Sequence, residues 1–384
     1  IEPENVTENI SAAEHFDNAG SDFAIQLFKE IVNEEENVLI SPLSVYPALA
    51  MTANGANNNT LSQMEQTLRM PIHELNEALY GYISALPNEE TSKLYLANSI
   101  WLRDEEDLTI NKAFLQTNAN WYNAQIYKTS FDDTALHDIN TWVSDKTDGM
   151  IEQIVDHIDN DSYMYLINAL SFDAKWKEPY EKPSVKDGVF TQEDSSKQDV
   201  ELMYSSEYQY IQDENAKGFL KPYDGGAYAF AALLPEEDIS LADYIDSLSG
   251  KKLKKLLSQT EACTVHTAIP KFKMEYNANL NQAFISLGMK DAFSETEADF
   301  SGIGTFTSPE DRLFINRVLH KTSISVMEEG TKAGASTVVE IKETGAFRQP
   351  PEPKEVYLDR PFVYMIIDCR QHFPIFIGTL YNVP

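Results

Sequence analysis

Val326-Met-Glu-Glu-Gly330-Thr-Lys-Ala-Gly-Ala335-Ser-Thr-Val-Val-Glu340-Ile341 is the stretch on which the reading of this chain turns. From Thr331 onward every second residue is small or apolar (Thr331, Ala333, Ala335, Thr337, Val339, Ile341), while Lys332, Ser336, Glu340 and Lys342 occupy the other phase. A period of two marks a half-buried β-strand. Yet the pattern begins at Gly330 and runs into Gly345-Ala-Phe-Arg-Gln-Pro350-Pro351-Glu-Pro353, a turn-rich tract that no central strand contains. Two readings fit: an ordinary strand followed by a surface loop, or a loop held outside the protein that carries the code of a strand it can later become. The small residues Ala333, Gly334 and Ala335 favour the second, because they let a segment slide between neighbours without side-chain collisions.

Working outward, no linker-like stretch divides the 384 residues into halves with separate cores, and 42% hydrophobic with 11% aromatic content suffices for one large core. The organisation expected is a polar, acidic N-terminal extension over residues 1–20 and a single domain over residues 21–384. The first residue is Ile1, which suggests a processed or trimmed start. No apolar run approaches the roughly 18 residues of a membrane span. Thirty Lys and Arg against 61 Asp and Glu give a formal charge of −31, which repels nucleic acid and anionic membranes and attracts basic proteins. Two cysteines, Cys263 and Cys369, are too few for a disulfide framework.

Along the chain, Phe23, Ala24, Leu27, Phe28 and Ile31 have helical spacing, with Ser21 as a possible N-cap. Ser41-Pro42 opens a second helix, apolar nearly all round and therefore buried, that takes Ser41 and Ser44 into the core before Gly55 closes it. Further helices fit Leu61 to Arg69, Ile72 to Leu86, Asn111 to Asn120 and Thr134 to Asp148, and later Ser240 to Ser258 and Leu280 to Leu287. Strands fit Lys93 to Leu102, Tyr163 to Trp176, Glu207 to Gln212, Lys217 to Pro222, Ala227 to Leu234 and Cys263 to Met274. Leu313 to Met327, Phe362 to Asp368 and Ile375 to Leu380 read as strands too. Helices mostly first and long strands mostly later argue for an α+β fold with large sheets.

No nucleophile elbow, phosphate loop, dinucleotide fingerprint or zinc-protease helix occurs, and the seven histidines lack ligand spacing. Asp159-Asn160-Asp161 starts like a calcium loop but lacks its glycine, so it reads as a solvated turn. Neither enzymatic activity, cofactor nor metal is expected.

Several segments in order resemble the serpins, the serine protease inhibitor family. They are Asn37-Val-Leu-Ile-Ser-Pro-Leu-Ser44, Asn140-Thr-Trp-Val143, Leu166-Ile-Asn168-Ala169, Lys175-Trp176, Pro270-Lys-Phe-Lys273 and Leu287-Gly288. Val318-Leu-His320-Lys321, Glu328-Glu-Gly-Thr331, Asp359-Arg-Pro-Phe362 and Phe376-Ile-Gly378 follow. The resemblance spans Ser21 to Asn382. It implies three β-sheets with about nine helices and an exposed reactive-centre loop near residues 330–360. It also implies a suicide substrate: a protease forms an acyl-enzyme on the loop and is trapped as the loop inserts as a new strand.

Carried over residue by residue, the resemblance makes Glu328, Glu329, Gly330, Thr331, Ala333, Gly334, Ala335 and Thr337 the hinge. Ser41, Ser44, Asn168 and His320 match the polar cluster beneath the middle of the main sheet, and Trp176 and Lys271, with Glu328, match its top. Counting fifteen residues from Gly330 puts the reactive bond between Thr344 and Gly345, with Phe347 and Arg348 as alternatives. Thr344 after Ile341 suits an elastase-like pocket, and the charge suits a basic enzyme, elastase-like or chymotrypsin-like. The resemblance further implies a monomer, secreted and extracellular or at the cell surface, in covalent complex with its protease. The alternative is a non-inhibitory relative acting as a ligand carrier or chaperone. Lys332, Gly334 and Val383 depart from the family pattern, but the small inward hinge residues suit burial.

Overall fold

The computed structural model describes residues 1, 3–4, 14–32, 36–159, 162–308, 310–331 and 352–384, with the side chains of residues 14, 15 and 17 left aside. Among them are nine α-helices and three sheets of nine, six and two strands.

The six-stranded sheet is built from β1 (Ser92–Arg103), β2 (Gln125–Thr129), β3 (Met164–Lys175), β4 (Phe272–Asn279), β5 (Leu319–Val326) and β6 (Gly330–Thr331). Their spatial order is β4-β5-β6-β3-β1-β2. β3 is covered on both faces, which explains its nearly continuous apolar run. Leu170, Phe172 and Ala174 join the main core, whereas Ile167 and Ala169 pack with Trp101 beneath a helix on the opposite face.

That outer helix is α3, counted after α1 (Glu14–Ile31) and α2 (Pro42–Ala53), and runs Asp133–Lys146. Asp132 caps it by accepting from Thr134 N–H and Ala135 N–H, and Ile139, Trp142 and Val143 face the sheet. α2 lies on the inner side. Ser41 is its N-cap and Pro42 its first turn, as read from the sequence, and every residue of α2 but Ala48 is buried. It ends at Ala53 with Asn54 as cap, two residues before the glycine expected to close it.

The nine-stranded sheet completes the core. It runs Leu39–Ile40, Pro374–Leu380, Phe362–Asp368, Tyr228–Pro235, Ala216–Pro222, Lys197–Gln212, Glu261–Pro270 and Lys354–Tyr357, with Val185–Thr191 paired to Lys197–Gln212.

Several boundaries differ from the sequence reading. α1 starts at Glu14, and Phe16 is buried 5.8 Å from the Tyr46 ring, so core packing begins ahead of Ser21. The run Cys263 to Met274 is two strands in two sheets, broken at Lys271: Pro270 ends the first and the Lys271 N–H turns to Glu201 O (3.0 Å). Ser240 to Ser258 is likewise two helices, because Ser249 caps a second one by accepting from Lys252 N–H. β5 begins at Leu319, six residues later than Leu313. The strand code beyond Thr331 lies outside the described residues.

Candidate functional site

Gly330 and Thr331 lie where the six-stranded sheet is parted. Thr331 pairs with Val326 of β5 on one side and with Ala174 of β3 on the other, and Gly330 pairs with Lys175. Among the described residues β3 and β5 form no ladder pair with each other. At the other end of the two strands, from the level of Asn168 and His320 downward, lies a cavity of about 460 Å³ whose walls include Ser44, Leu166, Asn168, Arg317 and His320. The sheet therefore carries a slot whose first rung is already filled.

What seats that rung is a set of contacts around Trp176. Its backbone N–H donates to Glu329 O (2.9 Å) and its indole Nε1 to Met327 O (2.8 Å), while Tyr180 N–H donates to Glu328 O (2.8 Å). Three successive carbonyls of the turn into β6 are thus satisfied from the top of β3. Trp176 stacks on Tyr223 (4.5 Å, 10°), and the Tyr223 hydroxyl shares a hydrogen bond with Thr331 Oγ1 (2.6 Å). Thr331 is 2% exposed. Gly330 is required here, since a Cβ would stand 2.1 Å from Ala174 O and 2.7 Å from Lys175 Cα.

Lys271 binds Glu328 (2.9 Å) and Glu201 (3.1 Å) beside the turn. The hydrogen bond between them holds the Glu328 carboxyl below, and the Lys271 ammonium above, their ordinary ranges. Under Trp176 sits a buried ion pair, Lys221–Glu207 (2.8 Å), with Lys221 4.4 Å from the Tyr180 ring centre. Such a pair tolerates loss of one partner poorly, because the other charge is then stranded.

Midway down, the structure brings Ser41, Ser44, Asn168 and His320 together. Ser41 Oγ donates to Ile375 O (2.8 Å) and accepts from Ser44 N–H (3.2 Å). Ser44 Oγ donates to Asn168 Oδ1 (2.6 Å), Asn168 Nδ2 to Asn98 Oδ1 (2.6 Å), and Asn98 Nδ2 to Tyr122 O (2.8 Å). This chain links α2 to β3 and β1. His320 Nε2 accepts the Ser41 N–H (3.0 Å), which places the imidazole proton on Nδ1.

Burial lowers the His320 pKa to about 4. The unfolded imidazole titrates near its ordinary ~6.5, so between these values the unfolded chain binds more protons. The contribution of neutral His320 is whole above about pH 6.5 and is lost as pH falls toward 4, amounting to about 3 kcal/mol. His320→Gln, whose amide oxygen can accept the same N–H, is expected to remove this component. Melting temperatures of both proteins from pH 7 to 4 test it: the parent should fall further, and parallel curves would refute the assignment.

Of the residues singled out in the sequence, Glu328, Glu329, Gly330, Thr331, Trp176 and Lys271 meet at the top of the slot, and Ser41, Ser44, Asn168 and His320 at its middle. Ala333, Gly334, Ala335, Thr337, Thr344, Gly345, Phe347 and Arg348 lie outside the described residues. Sequence reasoning missed Tyr223, Tyr180, the Lys221–Glu207 pair and Asn98. Only Asn98 left a signal, being polar in the strand run of β1.

The model of the family described as Serpin (serine protease inhibitor) matches residues 18–383. The crystal structure of a thermophilic serpin, tengpin, in its native state is 48% identical and covers 100% of this chain and 98% of its own, with a TM-score of 0.92. The same protein in its latent state covers 100% of both chains at 46% identity and a TM-score of 0.85. Leukocyte elastase inhibitor A of Mus musculus is 30% identical over 96% of this chain and 99% of its own.

Proposed function

The chain belongs to the serpin family, and from that premise we propose that it is a suicide-substrate inhibitor of a serine protease, with Thr344–Gly345 as the reactive bond. One observation carries the reading: Thr331, small and buried, already pairs with both β3 and β5, which form no ladder pair with each other among the described residues. Serpin loop insertion is an established case of strand addition and of stored strain. The protease serine attacks the Thr344 carbonyl, the amine of Gly345 leaves, and an acyl ester joins loop and enzyme. Residues 332–344 then follow Thr331 into the slot before water reaches the ester. Fourteen residues, Thr331 included, span roughly 46 Å at about 3.3 Å each, enough to carry the protease to the far end of the sheet.

Ile341 and Thr344 fit an elastase-like pocket, and a basic elastase-like or chymotrypsin-like enzyme is steered by the charge of −31. Incubation with elastase-, chymotrypsin- and trypsin-like enzymes tests the proposal. An SDS-stable complex is expected, with a released C-terminal peptide that begins at Gly345. A peptide starting at Arg348 or Gln349 sinks the Thr344 assignment, and cleavage without complex by every enzyme returns the chain to the non-inhibitory alternative. A monomeric, extracellular or cell-surface protein belongs to the same proposal and rests on the resemblance. Finding the chain in culture medium rather than lysate tests its location.

A further inference from the structure

We propose that the buried Lys221–Glu207 pair is a positioning unit for both stems of the loop: it holds the segment that seats the hinge turn, and it ties that segment to strand Lys354–Tyr357 at the loop's far end. Its consequence for trapping rests on the insertion reading above. Trp176 and Tyr180, the residues that bind the three carbonyls of the hinge turn, both lie on the Lys221 ammonium. Nζ is 5.3 Å from the Trp176 ring centre and 4.4 Å from that of Tyr180. Between them, Glu178 O accepts from the same Nζ (3.1 Å). Three alternate residues of one short segment thus meet a single charge.

Packing alone does not fix this segment. Its backbone tie to strand Ala216–Pro222 ends at Lys177, whose N–H donates to Pro222 O (3.1 Å). Beside the pair lies a cavity of about 390 Å³ bordered by Lys177, Glu178, Glu207 and Lys221, so on that side the segment faces open space rather than core. An apolar pair of equal volume would fill the site of the two charges at similar or greater stability, so what the charges add is direction. The ammonium orients one carbonyl and two ring faces at once.

Glu207 carries the tie onward. Its carboxylate only accepts, so Ser205 Oγ donates to Oε1 (2.7 Å), and the Thr267 hydroxyl (2.9 Å) in turn donates to Ser205 Oγ. Ser205 and Thr267 are ladder partners on the neighbouring strands Lys197–Gln212 and Glu261–Pro270, and Thr267 pairs with Val356 of Lys354–Tyr357. Thr267 and Val356 are both buried, on one face of the sheet. A line from the hinge turn to the strand at the other end of the loop therefore passes through this pair.

Hydrogen exchange read by mass spectrometry tests the pair on the intact chain. Lys221→Met and Glu207→Gln each strand a charge and are expected to lower the melting temperature, whereas the double variant removes both charges and is expected to melt close to the parent. At that matched stability, the amides of 176–180, 327–331 and 354–357 are expected to exchange at least about tenfold faster than in the parent, while α2 keeps the parent's rate. The number of inhibitor molecules consumed per protease trapped should rise with them. Parent-like exchange in all three segments reduces the pair to filling and overturns the proposal. Faster exchange confined to 176–180 and 327–331 overturns the tie to the second stem, and faster exchange with unchanged trapping overturns the role in inhibition. Ser205→Ala keeps both charges and cuts only the onward link, so it decides the tie even if the double variant unfolds: 354–357 should exchange faster with 327–331 at the parent's rate, and no change at 354–357 refutes the link. A parent that traps no protease sinks the insertion reading alone, because exchange still decides the positioning.

Discussion

Thr331→Arg is expected to convert the proposed inhibitor into a substrate while leaving the fold and the cleavage site intact. Thr331 is 2% exposed, lies between Val326 and Ala174, and shares its hydroxyl with Tyr223. An arginine there either buries an unpaired guanidinium, at several kcal/mol, or stays outside and pulls the first rung out of the slot. In the proposed mechanism, trapping depends on a race between insertion and hydrolysis of the acyl-enzyme. Each ~1.4 kcal/mol added to the insertion barrier slows it about tenfold, so a penalty of a few kcal/mol hands the race to hydrolysis. The number of inhibitor molecules consumed per protease trapped should therefore rise at least about tenfold. Lys332→Glu, on the outward phase, should change it little. Equal trapping by Thr331→Arg and the parent would show that insertion does not start at Thr331.

Nicking the loop is expected to raise the melting temperature, the reverse of what a broken chain does in most folds. Entry of residues 332–344 adds about ten backbone hydrogen bonds at a net ~0.5–1.5 kcal/mol each, and burial of Val339 and Ile341 adds roughly 1.5–3 kcal/mol apiece. The intact form has only the rungs at Gly330 and Thr331 among the described residues. A gain on this scale corresponds to roughly 10–25 °C in a chain of this size. Scanning calorimetry before and after cleavage measures it, and an unchanged or lowered midpoint contradicts insertion.

Much of this architecture was legible before any coordinates. The Ser41-Pro42 cap and the all-round apolar face of α2 each follow from neighbours a few residues apart, and each stands in the structure. The inward phase of Thr331 was legible too, because side chains alternate along any strand. Element ends were read less well. The chain changes sheets at Lys271, where Pro270 interrupts the run and the buried phase switches from Cys263, Val265 and Ile269 to Phe272 and Met274.

By itself, then, the sequence determined the local code: which segments are helix or strand, which faces are apolar, and that an α+β serpin fold accommodates them. Tertiary structure alone decided the partners. Tyr223 and Thr331 are 108 residues apart, Ser44 and Asn168 124, and Arg317 and Asp156 161. A hydroxyl, an amide or a guanidinium looks the same in sequence whether it faces water or a buried partner, because hydrogen bonding depends on distance in space. Those distances exist only once the sheets have closed around the core and left β3 and β5 held apart by Gly330 and Thr331.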